Sequence, residues 1–124
     1  MTLKDAITKF NAVCKNNIKD ELKIEWLSLL DNTVHKEIIL THKNPALTTF
    51  TPSNKNTSED TVLLVDDPYS DVYLKYLAMK KDLYYSDIAR YNNNLALFSV
   101  AYLDFQNYYN SQHIPLKKVE YFNA

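Results

Sequence analysis

Three histidines and one cysteine are the side chains in this sequence best suited to metal binding or nucleophilic catalysis. His35 and His42 would share one side of a helix, but they are seven residues apart. That spacing separates them by about 10 Å, whereas one metal ion joins helical residues three or four positions apart. Cys14 has no partner for an intramolecular disulfide, and no pattern supplies a base, an orienting group and an oxyanion site. We expect no metal, no cofactor and no enzymatic activity, with Cys14 in a packing role.

A run of acidic residues without an intervening basic residue is the second candidate site; its members are Glu59, Asp60, Asp66, Asp67 and Asp71. Carboxylates can bind calcium, but this spacing does not follow a calcium-binding loop. The run is interpreted first as a solvated acidic face with one helix cap, and second as a contact surface for a basic partner.

The chain contains no glycine, although average usage of about 7% would give about nine. Phosphate-binding loops, dinucleotide-binding turns and nucleophile elbows all need glycine, because their backbone approaches a ligand closely or adopts positive φ. The absence excludes these motifs and the enzyme classes that depend on them.

Length and charge favour one helical domain over residues 1–124, without a strongly charged partner. The chain has 124 residues, of which 46% are hydrophobic, and a formal net charge of −1. A balanced charge argues against bulk binding to nucleic acid or membrane surfaces. The first residues lack the pattern of a signal peptide, and no apolar run approaches the ~20 residues that cross a bilayer. We therefore expect synthesis in the cytoplasm and no membrane partner.

Apolar residues at helical spacing predict two helices in the first third of the chain. Thr2 and Asp5 form a capping signal ahead of a helix over 3–15, whose apolar side includes Val13. A second pattern, which includes Leu29, predicts a helix over 20–41 with Trp26 as its central core residue.

Two further helices are predicted in the second half. Asp67 and Pro68 fit the N-cap and first position of a third helix. Its apolar face would be Tyr69, Val72, Tyr73, Tyr76, Leu77, Leu83 and Tyr84. The fourth helix covers 87–111, with a heptad seam of Ile88, Tyr91, Leu95, Phe98, Tyr102, Phe105 and Tyr109. At 1.5 Å per residue it would be about 37 Å long, and we expect it to be the spine of the domain.

The remaining segments are predicted to be irregular. Residues 43–60 are rich in turn formers and predict a long loop, which is either a binding arm or extra chain length without a binding role. We expect this loop to be mobile in the free subunit and to be ordered by neighbouring copies. The apolar run 61–65 fits one strand or an extended segment over the helices. The predicted fold class is therefore all-α: a small four-helix bundle with a long central loop, one short extended segment and an extended C-terminal tail.

Candidate partner-binding residues lie on the fourth helix and in the tail. Asn92, Asn93 and Asn94 are unfavourable together inside a helix, which suggests either exposed polar positions or hydrogen bonds across a protein contact. Tyr85 and Tyr108 fall off the apolar stripes, and tyrosine is enriched at interfaces. The tail 116–124 is interpreted as a docking arm or as a cover folded over its own bundle; its candidate residues are Leu116, Lys117, Lys118, Val119, Tyr121 and Phe122.

Several short motifs resemble a known family. The earlier group is Trp26-Leu27, Leu30-Asp31, Glu37-Ile38-Ile39, Thr41-His42, Leu63-Leu64-Val65, Asp67-Pro68-Tyr69, Val72-Tyr73 and Tyr76-Leu77. The more specific group is Tyr91-Asn92-Asn93, Leu97-Phe98, Ala101-Tyr102, Tyr108-Tyr109-Asn110 and His113-Ile114-Pro115. In this order, from about residue 20 to 124, they resemble the head–tail adaptors, or connectors, of tailed bacteriophages and prophages of Gram-positive bacteria.

This resemblance implies a structural virion protein in the phage neck, assembled in the host cytoplasm. Such adaptors are helical bundles in a ring of twelve beneath the portal protein. They receive a stopper or tail-completion protein and extend the channel through which DNA passes without sequence-specific binding. The resemblance carries over no catalytic residues.

Two alternatives stay open. One is another minor neck or tail-completion protein of the same virion. The other is a small DNA-binding regulatory helical protein, which should present a basic recognition helix. The predicted fourth helix has Arg90 as its one basic residue among about two dozen positions, which disfavours the second alternative.

Overall fold

The computed structural model describes residues 1–43, 45, 49–53 and 57–114. Across these residues the chain forms four α-helices: α1 (Leu3–Val13), α2 (Asp20–Val34), α3 (Asp71–Tyr84) and α4 (Ile88–Gln112). A π-helical turn, His35–Ile39, continues α2. The described ranges contain no strand, so the prediction of an all-α fold is confirmed.

The start of α1 follows the predicted capping pattern. The Thr2 hydroxyl accepts the Asp5 backbone N–H at 3.1 Å, and the Asp5 carboxylate accepts the Thr2 N–H at 3.3 Å. These bonds satisfy N–H groups that have no partner within the helix, and the bond from the Thr2 backbone lowers the pKa of Asp5. The helix ends two residues earlier than predicted, where the Asn16 side chain bonds the Cys14 carbonyl and the Ile18 N–H.

The central helix of the bundle is α3, and the prediction that the fourth helix is the spine is wrong. Helix α3 packs against α1, α2 and α4, and its Tyr73 and Leu77 are fully buried. Helix α4 packs mainly on α3 and, of its 25 residues, buries Phe105 and Tyr109. Length therefore does not identify the core element here, because most of α4 extends along the outside of the bundle.

Helix α3 also begins later than predicted, at Asp71 rather than at Asp67-Pro68. The Tyr69 N–H donates to the Asp66 carbonyl and the Val72 N–H to the Tyr69 carbonyl, so the chain forms successive turns before the helix. The Asp67-Pro68 peptide bond is cis. The Asp67 carboxylate accepts a hydrogen bond from the Ser70 hydroxyl instead of capping a helix.

The run 61–65 is an extended segment that crosses the start of α1. Thr2 and Val62 form an isolated antiparallel bridge, and the Leu63 N–H donates to the Met1 carbonyl at 2.9 Å. Leu63 and Val65 are buried in the core. The interpretation as an extended segment is confirmed.

The described part of the predicted loop contacts α2 and the π-helical turn. The Ser53 N–H donates to the Ser28 hydroxyl at 2.8 Å, and the Phe50 ring stacks on His35 with centroids 5.9 Å apart. Residues 44, 46–48 and 54–56 lie outside the described residues, as does the whole tail 116–124. The predicted mobility of the loop and the docking role of the tail stay predictions.

Several side chains predicted to be inside are exposed: Val13, Leu29, Leu83, Tyr84, Ile88 and Leu95. A periodic pattern identifies the apolar face of a helix but not whether another element covers it. Four of these residues lie at the α3–α4 hairpin or along the first half of α4. The sequence prediction was wrong there because, among the described residues, these side chains are covered on one side at most; the Tyr84 ring contacts Trp26 with centroids 6.3 Å apart and is still 54% exposed.

Candidate interaction surface

Helix α4 differs from its neighbours in how few charges it carries. Two of its 25 residues are charged, Arg90 and Asp104. By comparison, five of the 14 residues of α3 are charged. A helix on the surface of a globular protein normally places charged side chains on its solvent side. The composition of α4 is therefore that of a helix covered on more than one side.

One side of α4 is nevertheless open in the described structure. We define the α4 outer face by the exposed residues Arg90, Asn93, Ala96, Leu97, Val100 and Asp104; Leu103, 52% exposed, lies beside it. Leu97 is 54% exposed and Val100 is 61% exposed. Contiguous exposed apolar side chains of this kind typically mark a contact with another molecule.

A groove of about 380 Å³ borders the α4 outer face on the α3 side. Tyr69 and Val72 line one wall, and Leu97, Val100 and Ala101 line the other. Lys75 and Asp71 are paired with each other at its edge, so the groove gains little net charge from them. Asp104 also lines the groove, so the groove combines apolar walls with one exposed carboxylate.

The three consecutive asparagines occupy different environments. The Asn94 side-chain amide donates to the carboxylate of Asp82, a residue that is 1% exposed. Asn94 therefore links α4 to α3 within the subunit, whereas Asn92 and Asn93 point outward and are exposed. Their predicted role in a partner contact stays a prediction.

The two off-stripe tyrosines lie at opposite ends of α4 and do not form one site. Tyr85, in the turn before α4, is 47% exposed and accepts the Asn17 N–H on its hydroxyl at 2.9 Å. Tyr108 is 44% exposed and stacks on Tyr69 with ring centroids 4.8 Å apart. Both have internal contacts together with exposed ring surface, which is compatible with a packing role and with a partner contact.

A polar cleft of about 690 Å³ lies between α1, α2 and Tyr85. At its base Lys23 is 2% exposed, with its ammonium 2.6 Å from Asn11 Oδ1 and 3.5 Å from Asp20 Oδ1. The ammonium also lies 5.7 Å from the centre of the Phe10 ring. These partners satisfy a buried positive charge, so the arrangement holds the two helices together.

Asp31 is a buried carboxyl group at the centre of a hydrogen-bond network. Its carboxylate accepts the Tyr73 O–H at 2.5 Å and the Leu64 N–H at 3.1 Å, and the Tyr73 oxygen accepts the Val65 N–H at 2.7 Å. Burial raises the pKa of Asp31 to about 6, although both hydrogen bonds lower it. Burial also raises the pKa of Tyr73. The network fixes the extended segment to α2 and α3.

Two of the histidines meet at the end of α4. The Tyr109 ring stacks on His113 at 3.9 Å between centroids and contacts the edge of His42 at 4.8 Å. His42 Nε2 and Asn110 Oδ1 are 2.7 Å apart. Across the described residues, no three metal-ligating side chains come together. This aromatic cluster joins the chain just after the π-helical turn to the last turns of α4.

The residues that sequence reasoning missed are Leu97 and Val100, at the centre of the α4 outer face. The available signal was the uncharged stretch 91–103, which is longer than one buried stripe requires.

None of the helices in the described ranges is long and apolar enough to span a bilayer. No family model, curated protein or solved structure matches this chain.

Proposed function

We propose that this chain is a non-enzymatic structural protein, a head–tail adaptor of a tailed bacteriophage. In this role copies form a ring between the portal protein and the next neck or tail component, and the ring extends the DNA channel. The observation that carries the proposal is the α4 outer face, combined with the motif resemblance of the helices that position it.

The α4 outer face supports an assembly role because of its physical character. The chain exposes Leu97 and Val100 beside an apolar groove on a rigid helix. Interface cores are poor in charged residues, and 91–103 contains none. A DNA-reading helix would instead need several basic residues, and α4 has Arg90 as its one basic residue. These properties favour contact with protein over contact with nucleic acid.

Deletion of the gene from its phage or prophage tests the proposal. An adaptor is needed to join heads to tails, so the deletion should give DNA-filled heads and separate tails in electron micrographs. Mass spectrometry should find the chain in wild-type virions, in several copies per portal ring. Normal virions from the deletion strain, or purified virions without this chain, would refute the adaptor function.

A pair of matched substitutions links the function to the proposed surface. Leu97 and Leu29 are both exposed helical leucines, at 54% and 53%. Leu97→Glu introduces a charge into the α4 outer face and should prevent the variant from restoring joined virions to the deletion strain. Leu29→Glu makes the same change on α2 and should restore them. Both variants should keep the helical circular dichroism of the wild type, because neither leucine is buried.

The tail 116–124 is proposed as a second attachment element. Removing these nine residues should leave the thermal unfolding of the subunit nearly unchanged and abolish its attachment to portal-bearing heads. A truncated chain that unfolds readily, or one that still joins heads normally, would contradict a docking role.

A further inference from the structure

We propose that two copies of this chain pair through the α4 outer face before assembly, as an antiparallel dimer with its twofold axis close to Leu97. In this pair Arg90 of each copy lies opposite Asp104 of the other. The inference concerns the free subunit and does not rest on the proposed adaptor function.

The positions of the two charges on α4 define this arrangement. Arg90 and Asp104 are each seven residues from Leu97, on opposite sides of it. Seven residues are close to two turns of an α-helix, so the three side chains lie along one face. An antiparallel partner centred on Leu97 brings each arginine to the level of an aspartate about 10 Å from the axis.

Charge complementarity indicates that the partner is a second copy of this chain and that the two α4 helices run antiparallel. Parallel pairing would place arginine against arginine and aspartate against aspartate, whereas antiparallel pairing makes two opposite-charge contacts. The Arg90 side chain is 71% exposed, and its Nε lies 3.5 Å from Asp87 at the helix start, so it can turn toward a partner. Asp104 is exposed, and the stretch 91–103 between the two contains no other charge that would oppose the pairing.

The apolar residues near the axis supply the contact area. Leu97 would meet its counterpart at the axis, and Val100, about 4.5 Å further along the helix, would pack beside the Leu97 of the other copy and fill part of the groove beside Tyr69 and Val72. A twofold interface uses the same patch on both copies and therefore closes after two subunits. The pair covers Leu97 and Val100 in the unassembled chain, and it must separate before the α4 outer face can contact any other partner.

Charge reversal tests the register. In sedimentation of the full chain, wild type should show a monomer–dimer equilibrium. Arg90→Glu or Asp104→Arg should each weaken dimerisation by about tenfold, because each dimer then contains two like-charge contacts. The double variant should restore wild-type dimerisation, whereas Lys36→Glu, an exposed control outside the face, should change nothing. A monomeric wild type, or a double variant weaker than both single variants, would overturn the proposal.

Oxidative cross-linking provides an independent test that does not depend on charge. In a Cys14→Ser background, Leu97→Cys should form a disulfide-linked dimer, because the two copies of this residue meet at the axis. Ile88→Cys, which is exposed but nine residues from Leu97, should not, since its two copies would be about 27 Å apart. Equal cross-linking at both positions, or cross-linking at Ile88 alone, would overturn the antiparallel register.

Discussion

Replacing Asp31 with asparagine should remove a defined part of the pH dependence of stability. Asp31 is 4% exposed, and burial raises the pKa of its carboxyl group from 3.8 to about 6 in the folded chain. Between these two values the folded chain binds a proton that the unfolded chain has already released. The stability contributed by this group is therefore complete below the unfolded pKa and is lost as pH rises through the folded pKa.

The size of the effect follows from the shift of about two units. One unit corresponds to about 1.4 kcal/mol, so the full loss is about 3 kcal/mol. About 2 kcal/mol of this loss of stability should occur between about pH 4.5 and about pH 7.5. The remainder occurs at lower pH, because the carboxyl group of the unfolded chain is already mostly ionised at about pH 4.5. Asparagine cannot ionise, so the variant should lack this contribution.

Urea unfolding followed by circular dichroism at these two pH values measures the effect. The free energy of unfolding of wild type minus that of Asp31→Asn should decrease by about 2 kcal/mol from the lower to the higher pH. Taking the difference cancels the groups that both proteins share, and Asp60→Asn, at an exposed position, controls for the loss of one negative charge. A difference that stays constant with pH would refute the reasoning about Asp31.

Two pairs of substitutions test the packing of α4 by urea unfolding. Phe105→Ala should lower the free energy of unfolding by about 3–5 kcal/mol, because the ring is buried. Phe98→Ala should lower it less, on the order of 2 kcal/mol, because that ring is half-buried. Equal losses would show that the seam is uniformly packed. Asn94→Ala should cost about 1–2 kcal/mol because the buried Asp82 carboxylate loses a donor, after the gain in helix propensity is included. Asn93→Ala, at an exposed position, should be neutral or slightly stabilising, and a loss similar to that of Asn94→Ala would contradict the assignment.

The elements that the sequence predicted well are those specified by neighbouring residues. The capping box of Thr2 and Asp5 fixes the start of α1, and the apolar spacing around Trp26 fixes α2. Asp67-Pro68 has the local chemistry of a helix start as well, but the turns at 66–70 delay α3 to Asp71. Long-range contacts decided that case, since Tyr73 and Asp31 hold the preceding extended segment against the core.

The candidate surface was only partly predictable, because burial depends on elements distant in the chain. The heptad seam indicated one apolar side of α4, and Phe105 and Tyr109 are buried there. The spacing could not show that α3 covers one side of α4 while Leu97 and Val100 stay open. The shortage of charged residues was a separate signal, because it concerns all sides of the helix and not one stripe.

Helix α4 is attached to the rest of the bundle near both ends, and this attachment lowers the entropic cost of binding a partner at its exposed apolar face. Near its start, Asn94 bonds the buried Asp82, and near its end the aromatic cluster of Tyr109 and His42 fixes the last turns. Leu97 and Val100 lie between these attachments, on a helix whose backbone is already ordered. A partner that covers them therefore loses less conformational entropy than one that must first order a loop. The same argument explains why the contact should depend on side chains of the α4 outer face, and why a single glutamate at Leu97 should weaken it while the fold persists.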